Sequence, residues 1–248
     1  MSGHSKWANI KHKKGKADAA RGKIFTKIGR EIAIAVKEGG GDPAVNGKLR
    51  DIIAKAKANN MPNDSITRSI KKAAGEMDNV VFEEITYEGY APGGVAVICE
   101  IVTDNRNRTA SEIRHIFDKN GGSLGTTGSV GYMFDHKGLL IVERGPGVDE
   151  EELMMQALDA GAEDMKSYDD SFEILTAPND FSAVREALEG QGIAFVSAER
   201  SKLPQTTVEV DDAETLEKVQ KLLDMLDDND DVMEVYHNAE LPEEEEEE

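Results

Sequence analysis

Residues 139–199, LLIVERGPGVDEEELMMQALDAGAEDMKSYDDSFEILTAPNDFSAVREALEGQGIAFVSAE, alternate between two hydrophobic periods. Short apolar or alternating runs mark Leu139 to Glu143, Ala162 to Tyr168, Phe172 to Ala177 and Ile193 to Glu199 as strands. Spacing of three and four marks Glu150 to Ala160 and Asp180 to Gly190 as helices. The order β, α, β, β, α, β is that of a ferredoxin-like unit. On its N-terminal side, Val80 to Tyr90 and Gly94 to Thr103 form a hairpin about Ala91-Pro92-Gly93-Gly94. A helix over Thr109 to Asn120 and a strand over Val130 to Phe134 follow. On its C-terminal side, Thr206 to Val210, Ala213 to Met225 and Val232 to His237 add only a strand, a helix and a strand, too few for a separate domain. They complete the first α/β set, with the ferredoxin-like unit inserted between its halves.

The first 75 residues read as three helices behind a basic N-terminal arm. Ile24, Phe25, Ile28, Ile32, Ala35 and Val36 give one apolar face to a helix over Ala17 to Val36, which Gly39 to Pro43 ends. Val45, Leu49, Ile52, Ile53 and Ala56 stripe a second helix that stops at Asn59-Asn60, because Met61 precedes Pro62. Asn63 or Asp64 caps a third, which carries Ile66, Ile70 and Ala73 and meets a left-handed stop at Gly75. The expected fold is therefore multi-domain, α plus α+β. It has a three-helix unit over 1–75, a discontinuous α+β domain over 76–135 and 203–240, an inserted ferredoxin-like domain over 136–202, and an acidic tail over 241–248.

Charge follows these boundaries. The chain carries a net −20. Residues 1–75 hold 13 Lys and 4 Arg against 6 acids, a net +11, and the remainder holds 12 bases against 43 acids, a net −31. Such segregation points to a polyanion-binding module on a body that repels phosphate. Lys11, Lys13, Lys14 and Lys16 crowd together behind Trp7. On the first helix, Lys23, Lys27 and Arg30 fall with Lys16 within about 60° of one another, away from the isoleucines. Lysines and arginines there neutralise phosphates and release counterions, and Trp7 either stacks on an unpaired base or anchors the arm in the core.

Arg106 and Arg108 stand before a helix that Asp104, Asn105 or Asn107 can cap. Either backbone amides and guanidinium groups converge on a phosphate, or the arginines pair with local acids. Gly121 to Ser129 is glycine-rich but lacks the Lys-Ser/Thr ending of a phosphate loop, and it reads as a turn that leaves its backbone free to approach a partner.

Other chemistries lack residues. One cysteine, Cys99, allows neither an intrachain disulfide nor a thiolate zinc site, and the five histidines are scattered. No local motif for nucleophilic catalysis occurs. With no run of about 18 apolar residues and no secretory h-region after Met1-Ser2-Gly3-His4, the expected location is the cytoplasm, away from membranes. The chain is read as a non-enzyme without cofactor, metal or small-molecule substrate.

Four ordered motifs carry a resemblance over essentially the whole chain. Gly3-His4-Ser5-Lys6-Trp7-Ala8-Asn9-Ile10-Lys11-His12-Lys13-Lys14 followed by Arg21-Gly22-Lys23-Ile24-Phe25-Thr26-Lys27 resembles the opening of the YebC/PmpR proteins, the group that includes the mitochondrial translational activator of cytochrome oxidase. Gly39 to Pro43 with Ala56 to Pro62, Thr103 to Thr109, and Asn120 to Phe134 follow in the family's order. Gly47 departs from a frequent proline, and the tail Glu243 to Glu248 is not a family motif. The resemblance implies three domains with the third inserted in the second. It also implies a DNA-binding transcriptional regulator or, alternatively, a ribosome-associated RNA-binding translation factor that helps on proline-rich nascent sequences. The expected partner is DNA or ribosomal RNA, and with the latter the ribosome. The candidate nucleic-acid-binding residues are Lys6, Trp7, Lys11, Lys13, Lys14, Lys16, Arg21, Lys23, Lys27, Arg30, Arg106 and Arg108.

Overall fold

The computed structural model describes Trp7, residues 17–75 and residues 81–241. Its elements run α1 (Ala17–Gly39), α2 (Gly47–Ala58), α3 (Asn63–Ala74), β1 (Glu83–Ala91), β2 (Val95–Thr103), α4 (Arg106–Lys119), β3 (Ser123–Leu124), β4 (Phe134–Glu143), α5 (Glu150–Asp159), β5 (Asp164–Ser167), β6 (Ser171–Thr176), α6 (Phe181–Gly190), β7 (Ser197–Pro204), β8 (Val208–Glu209), α7 (Ala213–Asp228), β9 (Val232–His237) and β10 (Ala239–Glu240). The fold is mixed α plus β. The chain forms two compact units: 1–34 with 77–135 and 204–248, and 35–76 with 136–203.

In the first unit four strands lie in the order β3-β1-β2-β9, with β1 and β2 paired antiparallel from Glu83 opposite Thr103 to Ala91 opposite Val95. The run Val95 to Val102 is apolar at nearly every position because both sheet faces are covered. Val95, Val97, Cys99 and Ile101 pack with Ile113, Phe117, Val219, Leu222 and Leu226 of α4 and α7, whereas Ala96 and Ile98 pack with Val130, Phe134 and Tyr236. Ile34 of α1, which lies off the isoleucine stripe read from the sequence, packs with Val102, Met233 and Phe82.

The second unit contains the sheet β5-β6-β4-β7, with β4 to β6 and β5 to β6 both antiparallel. Numbered within its β-α-β-β-α-β order, this is the 4-1-3-2 arrangement of a ferredoxin-like sheet. Leu153 and Ala157 of α5 and Phe181, Val184 and Leu188 of α6 fill its core against Leu140, Val142, Phe172 and Ile174. Asp51 of α2 ties that helix to α6 and β7. Its carboxylate accepts from Ser182 Oγ at 2.8 and 3.0 Å, Arg185 at 3.3 Å and Arg200 at 2.6 Å.

Several local expectations change. Val45 is 79% exposed and precedes α2. The helix starts one residue after buried Asn46, whose Oδ1 accepts from Leu49 N at 3.0 Å while its Nδ2 donates to Ala35 O and Gly40 O at 2.8 Å. The stop of α2 is as read, with Asn60 left-handed at φ 57° and Met61 N donating back to Ala56 O. Gly75 is extended at φ −86°, ψ 135°, and α3 is capped by Pro62 without a side-chain bond, so neither the left-handed stop nor the Asn63 or Asp64 cap forms. Residues 131–133 form a 3-10 turn, and the strand begins only at Phe134. The last strand of the ferredoxin-like unit starts at Ser197, since Ile193 and Phe195 serve the core from the preceding loop. Val80 and the tail from Pro242 lie outside the described residues.

One buried carboxylate gathers the first unit. Asp231 sits between α7 and β9. It accepts from Arg30 of α1 at 2.6 Å, Thr109 Oγ1 at 2.6 Å, Arg108 at 2.7 Å and Thr103 Oγ1 at 3.1 Å. Burial pushes its pKa upward, but bonds from Thr109, Arg108 and Arg30 outweigh burial and hold it at about 2, below its ordinary 3.8.

Asp231→Asn, which leaves Arg30 and Arg108 without their buried counter-charge, is expected to destabilise the protein by roughly 3 kcal/mol in urea unfolding. An unchanged midpoint would remove Asp231 from this role. Because the folded pKa is lowered, its contribution of roughly 2 kcal/mol is complete above about pH 4 and disappears as pH falls through about 2. Acid titration of the wild type should show this loss, and Asp231→Asn should lack that component.

Candidate nucleic-acid interface

The cationic stripe of α1 does not face away from the protein. Lys23 Nζ pairs with Asp228 Oδ1 at 2.9 Å, Lys27 Nζ donates to Asp227 O at 2.7 Å, and Arg30 donates to Asp230 O and Asp231 Oδ1, both at 2.6 Å. The receiving element explains this. The last turn of α7 carries acids and no base, so like charges meet the negative end of the helix dipole. Cations from a different helix supply what α7 lacks. The opposition of apolar and basic faces was legible in the sequence; the acidic surface 200 residues away was not.

Trp7 is 2% exposed, which withdraws it as a base-stacking residue and makes it part of the core. Lys6, Lys11, Lys13, Lys14 and Lys16 lie outside the described residues, as does the side chain of Arg21.

The motif Thr103 to Thr109 gathers around Asp231, so Arg108 pairs with local acids as one of the two readings expects. Asn105 caps α4 by accepting from Arg108 N at 3.1 Å. Arg108 pairs through Nη2 with Asp104 at 3.0 Å and Asp231 at 2.7 Å, which ties one edge of its guanidinium to carboxylates of the chain. Arg106 is exposed and forms no ion pair with a described residue. In the glycine loop, the buried Glu88 carboxylate accepts from Gly128 N and Val130 N at 2.8 Å and Gly131 N at 2.7 Å. Amides that could hold a phosphate already hold a carboxylate of the same chain. Gly128 adopts φ 87°, a conformation a side chain would strain.

Among the described residues, exposed cations without an acid partner include Arg106, Arg114, Lys119 and Lys221 in the first unit and a group on residues 35–75. Lys37, Lys57, Arg68 and Lys71 are exposed and pair with no described acid, and Lys72 is exposed beside them. On α3, Arg68, Lys71 and Lys72 fall within about 100° of one another, opposite Ile66 and Ile70. The segment after α1 packs on the opposite, apolar face, since a Cβ on Gly41 would lie 3.3 Å from Ile70 Cγ2 and 3.7 Å from Ala74 Cβ, which leaves the cations outward. Lys37, Lys57, Lys71 and Lys72 also occupy last helical turns, where cations complement the dipole. Arg68 stands mid-helix and gains nothing from that effect. Counting cations per segment finds this face; ranking them by local density in the sequence overlooks it.

Cys99 is buried, and burial pushes its thiol far above the ordinary range. Among the described residues no group of three His, Cys, Asp or Glu is arranged to hold a metal ion, and no helix is long and apolar enough to cross a membrane.

The comparisons with known proteins agree over both parts of the chain. Residues 5–76 match the family described as the TACO1/YebC protein N-terminal domain, and residues 82–239 match the TACO1/YebC second and third domain. A relative from Acetivibrio thermocellus, named a probable transcriptional regulatory protein, is 64% identical over 96% of this chain and 98% of its own. One from Ruminiclostridium cellulolyticum with the same name is 62% identical over the full length of both chains. The crystal structure of a conserved hypothetical protein from Aquifex aeolicus is similar at a TM-score of 0.83 and 47% identity, covering 93% of this chain and 95% of that one. With the ordered motifs, the sheet topologies and these matches in agreement, the chain belongs to the TACO1/YebC family.

Proposed function

We propose that this chain is a non-enzymatic, cytoplasmic regulator of transcription that binds duplex DNA through the cations of its N-terminal 75 residues. One observation carries the reading. Where α1 presents Lys23, Lys27 and Arg30, acids of the same chain receive them, yet Arg68 and Lys71 of α3 are left exposed without such partners. Isolated charge of one sign on an otherwise acidic protein is retained for a partner of the opposite sign, and a phosphate backbone supplies it. The names of the curated relatives point in the same direction. Lysine outnumbers arginine in the basic segment, 13 to 4, which favours phosphate neutralisation over reading of base edges and predicts weak sequence preference.

Engagement of about six cations gives a log-log salt dependence of slope near −5. Arg68→Glu, mid-helix, should weaken duplex binding severalfold at fixed salt without lowering thermal stability. Adding Lys71→Glu should bring the loss to at least tenfold at a small cost in stability from the end of α3; equal affinity in the double variant would take α3 out of the interface. Lys23→Glu should instead lower stability, because it removes a cation from the α7 C-terminus. Crosslinking in cells followed by sequencing of the recovered nucleic acid decides the polyanion. Discrete promoter fragments are expected, and a predominance of ribosomal RNA would transfer the same surface to translation.

A further inference from the structure

The helix α5 carries a feature that nucleic-acid binding does not use. Met154, Met155 and Leu158 are 38, 62 and 50% exposed, and they make up three of the six large apolar side chains exposed among the described residues. The helix already serves the core through Leu153 and Ala157, both buried, so these three are surplus to the fold. At about 100° per residue, Met154, Leu158 and Met155 cover an arc of about 100° beside the buried face. Exposed Glu151 falls inside that arc, and exposed Asp159 and Glu152 border it. Glu150 is held by Arg144 at 3.1 Å, and Glu152 Oε1 accepts from Gln156 Nε2 at 3.1 Å, a neutral donor that leaves its charge uncompensated.

Placing two methionines and a leucine in water, interleaved with acids, has a physical consequence. Unbranched methionines adapt their shape to a partner, and clustered exposed apolar groups mark contact sites more often than scattered ones. The acids select the partner's charge. They repel phosphate, so the surface is not an extension of the nucleic-acid interface, and they attract lysine and arginine. An apolar stripe with a basic border is the face of a basic amphipathic helix, which docks on such surfaces through residues at steps of three and four.

We propose that the Met154–Met155–Leu158 face of α5 is a docking site for a basic amphipathic helical segment of a partner protein. The site is independent of the nucleic-acid reading and lies on residues that reading does not use.

The test titrates the full chain with an 18-residue peptide of lysine and leucine at helical spacing, against a scrambled peptide of identical composition. Methyl-13C labelling of the nine methionines reports the contact, with the Met154 and Met155 signals assigned by single Met→Leu changes. These two signals should shift, and the scrambled peptide should bind at least tenfold more weakly. The variant Met154→Gln/Met155→Gln/Leu158→Gln keeps the charge and should lose at least tenfold in affinity. Glu151→Gln/Glu152→Gln/Asp159→Asn keeps the apolar arc and should lose a similar amount, together with most of the salt dependence. Both alter exposed positions, and thermal melting checks that they fold. Equal binding of the scrambled peptide, or unaltered affinity in the first variant, would overturn the proposal, because charge alone would then account for the association. Dimerisation of the wild type abolished by the first variant would also overturn it, since the occupant would be a second copy. Duplex affinity is expected to be the same in both variants, so failure here and failure of the DNA reading are separately visible.

Discussion

The first unit is organised around one buried negative charge. Asp231 receives two guanidinium groups and two hydroxyls from three different segments, and its own carbonyl accepts from Val102 N at 2.9 Å. A carboxylate taken out of water is costly unless its lone pairs are met. Here each donor that meets it also fixes an element: Arg30 places α1, Thr103 the end of β2, Arg108 and Thr109 the first turn of α4. The charge therefore specifies position as well as contributing stability, and the pKa near 2 measures how completely the donors compensate burial.

The same logic governs the surfaces. Several helix ends among the described residues meet their dipole with cations. α1, α2 and α3 do so with lysines in their last turns, whereas α7 ends in acids and borrows cations from α1. Internal compensation of this kind removes charge from the surface that a count of residues would assign to a ligand. Three candidates, the α1 stripe, the arginine of the α4 cap and the glycine loop, are each answered by a carboxylate of the chain itself: Asp228 and Asp231, Asp104 and Asp231, and Glu88. Among the described residues, the exposed cations without an acid partner, Arg68 and Lys71 of α3 among them, are fewer than the count of basic residues suggests.

The periods of the apolar residues determined the mixed fold, the strand and helix order of residues 139–199 and the chain stop at Asn59-Asn60, because those features follow from local geometry and side-chain alternation along one segment. The segregation of charge is likewise a property of composition, and it is what suggests a polyanion partner. Motif order alone identified the family. Other features lay beyond the sequence because each depends on groups far apart in the chain. Nothing within ten residues of Lys23 signals that Asp228 will receive it, or within ten of Glu88 that it will hold the amides of residues 128–131. Trp7 reads equally well as a stacking group and a core anchor until its burial is seen. Only tertiary structure decided which of the described cations are paired inside the molecule and which stay exposed, since electrostatic compensation is set by distance in space and carries no period along the chain.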